Sequence, residues 1–423
     1  MKRLLLFSFH FPPQPEAGAL RSGYLADHIG SQGWEPTVIT VPYGLPLSKP
    51  YIVVRARSPL TPALRANLAT TLPPQSQPTS LGRRPAMQSS VRHVLAKVYY
   101  RCSRYWYPDP AVGWIGDALY RSLRLHKKSP FTAVFSTAWP ASAHLVAAAF
   151  SAATGVPWLA DYRDLWAGYP YRSINGVRAW FDRTVERRVL RGAAAITTVS
   201  EGLRASLAAL HQRNDVQVIP NAAAAEDWAD VPEQDPQRFN ILYAGVLYGG
   251  QRTPDLIFAA AAELRAECDP AGLAVSFDFY GSERNLVLSA AGKYGIGDCV
   301  RVHERVNRAA VLRRQKGAAA LLVLLKMDPM LANEFGSKIY EYAGARRPIL
   351  AVGPAGSVVG DYLNQSGLGT LVSTRLECKK ALQVIYGDFR NGRYERDVVP
   401  QWKPFTSADL AARFAAVLNR ISE

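Results

Sequence analysis

Apolar residues fall along this chain in short runs bounded by glycine, proline and serine. Between the runs lie longer segments whose apolar positions recur three and four apart. Short continuous runs suit strands buried on both faces, and the three-and-four spacing suits the helices that cover them. Residues 2–9 predict a first strand, which also accounts for a signal-peptide-like start that His10 and Pro12-Pro13 cut short. Phe11 to Ala17 predicts a proline-rich turn, Ala19 to Gly30 a helix with Leu20, Tyr24, Leu25 and Ile29 on one face, and Pro36 to Val41 a second strand. Regularity fails from Pro42 to Gln88, where a mobile insertion of about 42–90 is expected. Val91 to Trp106 has helical spacing again, with an aromatic apolar side and Arg92, Lys97, Arg101 and Arg104 beside it. A basic helix of that kind either lies on an anionic membrane or packs on its own domain with the charges in water.

The alternation continues. Phe131 to Ala160 has no Asp, Glu, Lys or Arg and is long enough to span a bilayer, but Pro140, Gly155 and Pro157 divide it into strand, loop, helix and strand. Strands are predicted at 195–199 and 216–219, with Ser200 capping the helix between them. Asn221 to Arg238 carries Pro232, Pro236 and several acids with little periodicity, and reads as a connection between domains. Beyond it the pattern restarts: a strand closing on Gly245, a Gly-rich loop containing Tyr248, Gly249, Gly250 and Arg252, and a helix opened by Pro254. Further strands follow at 275–280, 300–302, 319–325, 349–352 and 369–372, and Asn307 caps a helix that ends at Lys316. Repeated βα units in both halves predict an α/β protein of two doubly wound, Rossmann-like domains facing a central cleft. The expected boundaries are 1–225 for the first domain, 226–238 for the linker, 239–405 for the second domain, and 406–423 for a last helix crossing back to the first.

At 423 residues and 48% hydrophobic, the chain has material for two cores. The formal charge of +16 favours an anionic partner: nucleic acid, a membrane face or a phosphorylated substrate. The basic residues are spread over many helices in no legible nucleic-acid module, so no nucleic-acid partner is expected. Cys102, Cys268, Cys299 and Cys378 are far apart, which gives neither a zinc site nor a disulfide framework and points to a reducing cytoplasm. P-loop, dinucleotide, esterase and zinc-protease motifs are absent.

Two constellations carry chemistry. In Asn333 to Gly353, a Gly336-Ser337 turn opens a helix with Lys338 in its first turn and Glu341 one turn on. Free N–H groups beside a cation suit a phosphate, and a carboxylate a few ångströms further suits vicinal sugar hydroxyls. An ordinary amphipathic helix with a surface Lys and Glu would give the same pattern. In Asp161-Tyr-Arg-Asp164-Leu-Trp166, two carboxylates and a guanidinium stand at a strand's carboxyl end, where either an active site or a structural Arg–Asp pair is expected.

With these residues in view, the chain resembles a GT-B glycosyltransferase of the family 4 type over nearly its whole length. Ser337-Lys338-Ile-Tyr-Glu341-Tyr is the most specific match. Phe11-Pro-Pro…Ala17-Gly18, Gly33-Trp34-Glu35-Pro36, Asp161-Tyr-Arg-Asp164-Leu-Trp166, Val218-Ile-Pro-Asn221 and Leu242-Tyr-Ala-Gly245 through Arg252 resemble other segments of that family. The resemblance implies transfer of a sugar from a nucleotide diphosphate to a glycan or lipid-linked acceptor, with retention and with no metal or other cofactor. It implies that Glu341 binds the donor ribose, that Lys338 and Arg252, with Ser337 at the helix start, hold the diphosphate, and that Gly18 lets its loop approach the sugar-phosphate. A second family glutamate eight positions before the ribose one corresponds to Asn333 here, with Glu334 shifted by one, so sugar-ring contacts fall to that pair. Should a base be used, Asp164, Asp161 and His144 are the candidates. Within the same fold a nucleotide-sugar epimerase is the alternative, and a basic nucleic-acid-binding protein a more distant one. The expected location is cytoplasmic, with peripheral contact to an anionic membrane.

Overall fold

A computed structural model describes residues 1–14, 17–43, 48–58, 106–169, 176–222, 226–267, 275–333, 335–396 and 405–423. The helix expected at Val91–Trp106 lies outside them except for its last residue, as does most of the 42–90 insertion. The chain divides into two compact units, Met1–Pro220 with Ser407–Glu423, and Asn221–Thr406.

The first unit is built on a parallel sheet of seven strands: β1 (Lys2–Phe7), β2 (Trp34–Thr40), β3 (Ile52–Arg55), β4 (Ala133–Ala138), β5 (Trp158–Tyr162), β6 (Ala195–Thr198) and β7 (Gln217–Val218). Their order is β3-β2-β1-β4-β5-β6-β7. β3 falls inside the stretch read as irregular. Its four residues, Ile-Val-Val-Arg, are too few to show a period, and pairing of Thr37–Thr40 with Ile52–Arg55 makes the strand. Helix α1 (Ala17–His28) follows β1, α2 (Ile115–Lys128) precedes β4, and α3 (Ser142–Thr154), α4 (Gly176–Leu190) and α5 (Glu201–His211) connect the later strands. The uncharged run 131–160 is thus a strand, a helix and a strand. Its helix starts without a side-chain cap of its own, and Asp109 supplies one by accepting from the Ser142 amide and hydroxyl. Ser200 caps α5 through the Leu203 amide.

The second unit has six parallel strands: β8 (Asn240–Ala244), β9 (Ser276–Tyr280), β10 (Val300–His303), β11 (Ala320–Leu324), β12 (Ile349–Val352) and β13 (Gly369–Val372). Their order, β10-β9-β8-β11-β12-β13, repeats that of the first six strands of unit one. Its helices are α6 (Asp255–Glu267), α7 (Arg284–Lys293), α8 (Arg308–Lys316), α9 (Lys338–Ala345), α10 (Val358–Ser366) and α11 (Arg375–Arg390). Alternate residues of each central strand feed two separate cores. Ile241, Leu322 and Leu350 pack with α6, α7 and α11, whereas Leu242, Leu321 and Ile349 pack with α9 and α10. Burial on both faces is why these strands read as unbroken apolar runs. A capping box, Thr374 with Glu377, starts α11. Its spacing, Thr-x-x-Glu, is legible in the sequence.

Residues 226–238 lie in the second unit, where Glu226–Ala229 forms a helical turn. The last helix, α12 (Ser407–Ile421), belongs to the first unit, and Phe414 meets Phe135 edge-on at 5.1 Å. Among the described residues no helix is long and apolar enough to cross a membrane.

Candidate functional site

In the second unit the strand order reverses between β8 and β11, and the carboxyl end of such a switch point is where open sheets hold ligands. Helix α9 is fastened there. Its Ile339, Tyr342, Ala343 and Ala345 pack into the core, and the Tyr342 hydroxyl accepts from the Ala244 amide at the end of β8, 3.1 Å away. The face carrying Lys338 and Glu341, three residues apart, is thereby kept out of that core. The Lys338 Cε lies 2.9 Å from where a side chain on Gly245 would begin, so the lysine stem runs over the last residue of the β8 turn. Ser337 makes no side-chain cap, which leaves the helix start without an internal acceptor from that residue.

The electrostatics are those of a cation cluster with one embedded acid. Burial lowers the Lys338 ammonium from its ordinary range. Glu341 opposes that shift, and Arg252, Arg305 and Arg308 add to it. Among the described residues no hydrogen bond or salt bridge holds the Lys338 ammonium. Burial alone would raise the Glu341 carboxyl, but Lys338, Arg308 and Gln315 together hold it below its usual value. Each Glu341 oxygen already accepts one protein donor: Oε2 from Arg308 Nη1 at 2.7 Å and Oε1 from Gln315 Nε2 at 2.6 Å. A carboxylate oxygen has two lone pairs, so one acceptor position remains on each.

The Gly-rich loop after β8 is curled by three successive left-handed residues, Tyr248, Gly249 and Gly250. The Leu247 and Gly249 amides of this loop donate to Glu283, at 2.7 and 3.1 Å. Those amides are therefore engaged within the protein, and the loop contributes to the site through Arg252, which stacks on Tyr248 at 4.7 Å. Of the remaining donor-side candidates, Asn333 is exposed on the approach to α9, and Glu334 lies outside the described residues.

In the first unit the corresponding edge is built differently. Asp161 is fully buried and takes four hydrogen bonds: two from Arg21, at 2.9 Å each, and one each from Thr137 and Thr197 at 3.0 and 2.9 Å. Arg21, 3% exposed, spends its other donors on the carbonyls of Ile219 and Pro220. This is a structural pair that ties α1 to β5 and to the end of β7. His144 is sealed in the core, with Nδ1 on Ser136 Oγ at 2.7 Å, and burial takes its pKa down to about 3, so the ring is neutral. Asp164 alone of the three base candidates is exposed. Gly18 faces Arg163: a Cβ on Gly18 would sit 1.8 Å from Nη1, so the space freed by the glycine is taken by a guanidinium. Arg163 is held there by Thr137 Oγ1 and by the Ala138 and Trp139 carbonyls.

The structure thus brings Ser337, Lys338, Glu341 and Arg252 into one cluster and keeps Gly18, Asp161, Asp164 and His144 in the other unit. Sequence reasoning missed Arg308 and Gln315. Both lie on α8, seven residues apart and so on one face, and the signal was a cation at the first position of a capped helix, where it is electrostatically unfavourable. Among the described residues no group of three or more His, Cys, Asp or Glu side chains is placed to hold a metal ion.

Residues 18–222 match the family described as glycosyl transferase 4-like domain. No curated protein matches the chain significantly. Among solved structures, the chain is similar to a sucrose-phosphate synthase from Thermosynechococcus elongatus, with a TM-score of 0.59, 15% identity, and 100% of this chain and 96% of the other covered. It is similar to HepE of Anabaena, solved in complex with UDP-glucose, with a TM-score of 0.55, 13% identity, and 100% and 97% covered. A third similarity is to WaaG, a glycosyltransferase involved in lipopolysaccharide biosynthesis, with a TM-score of 0.51, 12% identity, and 99% and 98% covered.

Proposed function

We propose that the chain is a glycosyltransferase of the GT-B type with a family 4-like N-terminal domain, and that it moves a sugar from a nucleotide diphosphate to a glycan or lipid-linked acceptor, with retention and without a metal. The observation that carries this reading is the Lys338 ammonium at an uncapped helix start, with the Glu341 carboxylate one turn on and Arg252, Arg305 and Arg308 around it. Lys338 and Arg252 hold the diphosphate, and Glu341 accepts from the ribose hydroxyls. When the bond from the sugar's anomeric carbon to the diphosphate breaks, its electron pair stays on the leaving phosphate oxygen. Fixed cations stabilise that charge, and losing one such donor typically costs about 3–4 kcal/mol of the barrier. The same cations do the work a divalent metal does elsewhere.

The acceptor hydroxyl bonds to the anomeric carbon on the face the diphosphate leaves, and its proton passes to the leaving phosphate oxygen. Asp164, exposed at the carboxyl edge of the first unit, is the candidate to orient it; Asp161 and His144 serve the fold. The net charge of +16 suits an acceptor at an anionic membrane face. That HepE was solved with UDP-glucose supports a nucleotide-sugar partner for this chain.

A thermal-shift screen with UDP-, GDP- and TDP-sugars, each with and without EDTA, tests the reading. One nucleotide class should raise the melting temperature, since a ligand bound only by the folded form stabilises it. EDTA should leave the shift unchanged. Absence of a shift, and of nucleotide release, with every donor would overturn the proposal.

A further inference from the structure

Glu341 does not stand by itself. Arg308 donates to it through Nη1 at 2.7 Å and, through Nη2, to Asp227 at 2.5 Å. One guanidinium therefore bridges two carboxylates, and a planar fork of this kind fixes direction as well as charge. Asp227 lies just past Pro220–Asn221, where the chain passes from one compact unit to the other. Its neighbour Trp228 meets the same donor helix. The indole rests on Gly344, where a Cβ would come within 2.0 Å of Nε1, so only glycine lets the ring lie against α9. The segment that enters the second unit is thus tied to α9 twice, once by packing and once through Arg308 to Glu341.

We infer that Asp227 and Arg308 are positioning residues that aim the Glu341 carboxylate, so that recognition of the donor ribose depends on how this entering segment is seated. The inference rests on the reading of Glu341 as the ribose acceptor. Arg308 and Gln315 each occupy one acceptor position of Glu341, on different oxygens, and leave one position on each. Vicinal hydroxyls need both remaining positions at once, and a carboxylate free to rotate would offer them only part of the time. Asp227 holds Arg308, Arg308 and Gln315 hold Glu341, and neither Asp227 nor Arg308 is required to touch the ligand.

The test compares UDP and GDP with their 2′,3′-dideoxy counterparts by calorimetry, since the ratio of the two affinities reads the ribose contact alone. The full chain should favour the hydroxylated nucleotide by about tenfold, the worth of one or two hydrogen bonds to a charged group. Glu341→Gln should bring the ratio close to one. Asp227→Ala and Arg308→Lys should each reduce it to about two- or threefold at unchanged melting temperature, and Asp227→Asn, which keeps an acceptor oxygen, should recover most of it. Should Asp227→Ala unfold the segment, Arg308→Lys carries the test from α8. If Glu341→Gln removes the preference while Asp227→Ala and Arg308→Lys keep it in full, the positioning role is overturned and the Glu341 reading stands. If Glu341→Gln keeps the preference, or the full chain has none, the Glu341 reading itself fails and this inference with it.

Discussion

At the carboxyl end of β5 the first unit buries Asp161 under four donors and spends Arg21 on that acid and two carbonyls. At the start of α9 the second unit leaves Lys338 half-buried as a residue, its ammonium short of an ion-pair partner among the described residues, in a field of arginines. The two sheets share a strand order, so topology alone gives each a place for a ligand. What separates them is how far each charge is already paired within the protein. A buried pair must satisfy every lone pair and proton at home, because nothing else will reach it. A partly exposed cation can keep its donors for a guest. Charged residues at a sheet's switch point are therefore not equivalent evidence of function, and the bonds they have already made decide which kind they are.

The largest expected effect would break this comparison outright. Lys338→Ala should lower kcat/KM by about a hundred- to a thousandfold, with little change in melting temperature. Asp161→Asn should do the reverse. It uncovers Arg21 in the interior and should cost about 3–5 kcal/mol of stability, read by denaturant unfolding, with activity falling only as far as the folded fraction falls. A stable Asp161→Asn with poor turnover would move the catalytic role to the first unit.

A smaller effect lies in pH. Because burial and neighbouring arginines lower the Lys338 pKa, the ammonium loses its proton below the usual lysine range. Nucleoside diphosphate affinity should therefore decline as pH rises toward that range. Stability should move the opposite way, rising with pH in that window, because the unfolded chain binds more protons there than the folded one. Glu341→Gln removes the charge that supports the ammonium and should shift the decline to lower pH. Titrations of binding against pH check this, and a profile flat up to the ordinary lysine value of about 10.4 would remove Lys338 from the site.

The smallest effect sharpens the first unit. Gly18→Ala should displace Arg163, whose guanidinium fills the space a side chain would need. The cost should be about 1–3 kcal/mol, as for other overpacked sites. A neutral substitution would mean that Arg163 moves aside freely and that its carbonyl contacts hold little.

Much of this was written in the order of residues. Apolar runs marked the strands because parallel strands are buried on both sides. Ser200 and Asn307 capped the helices they precede, and the spacing of Lys338 and Glu341 set them on one helix face. These are local consequences of period and backbone hydrogen bonding, and they need no distant partner. Tertiary structure decided the rest. β3 exists because β2 offers it an edge, not because Ile52–Arg55 carries a pattern. Asp161 and Lys338 look alike as charges near a turn, yet one meets Arg21 from 140 positions away and the other meets no such partner among the described residues. Arg308 joins Asp227 to Glu341 across 81 and 33 positions of chain. Burial and pairing of charge are properties of three-dimensional neighbours, so the residues could be named from the sequence, but whether each was committed or available could be read only from the fold.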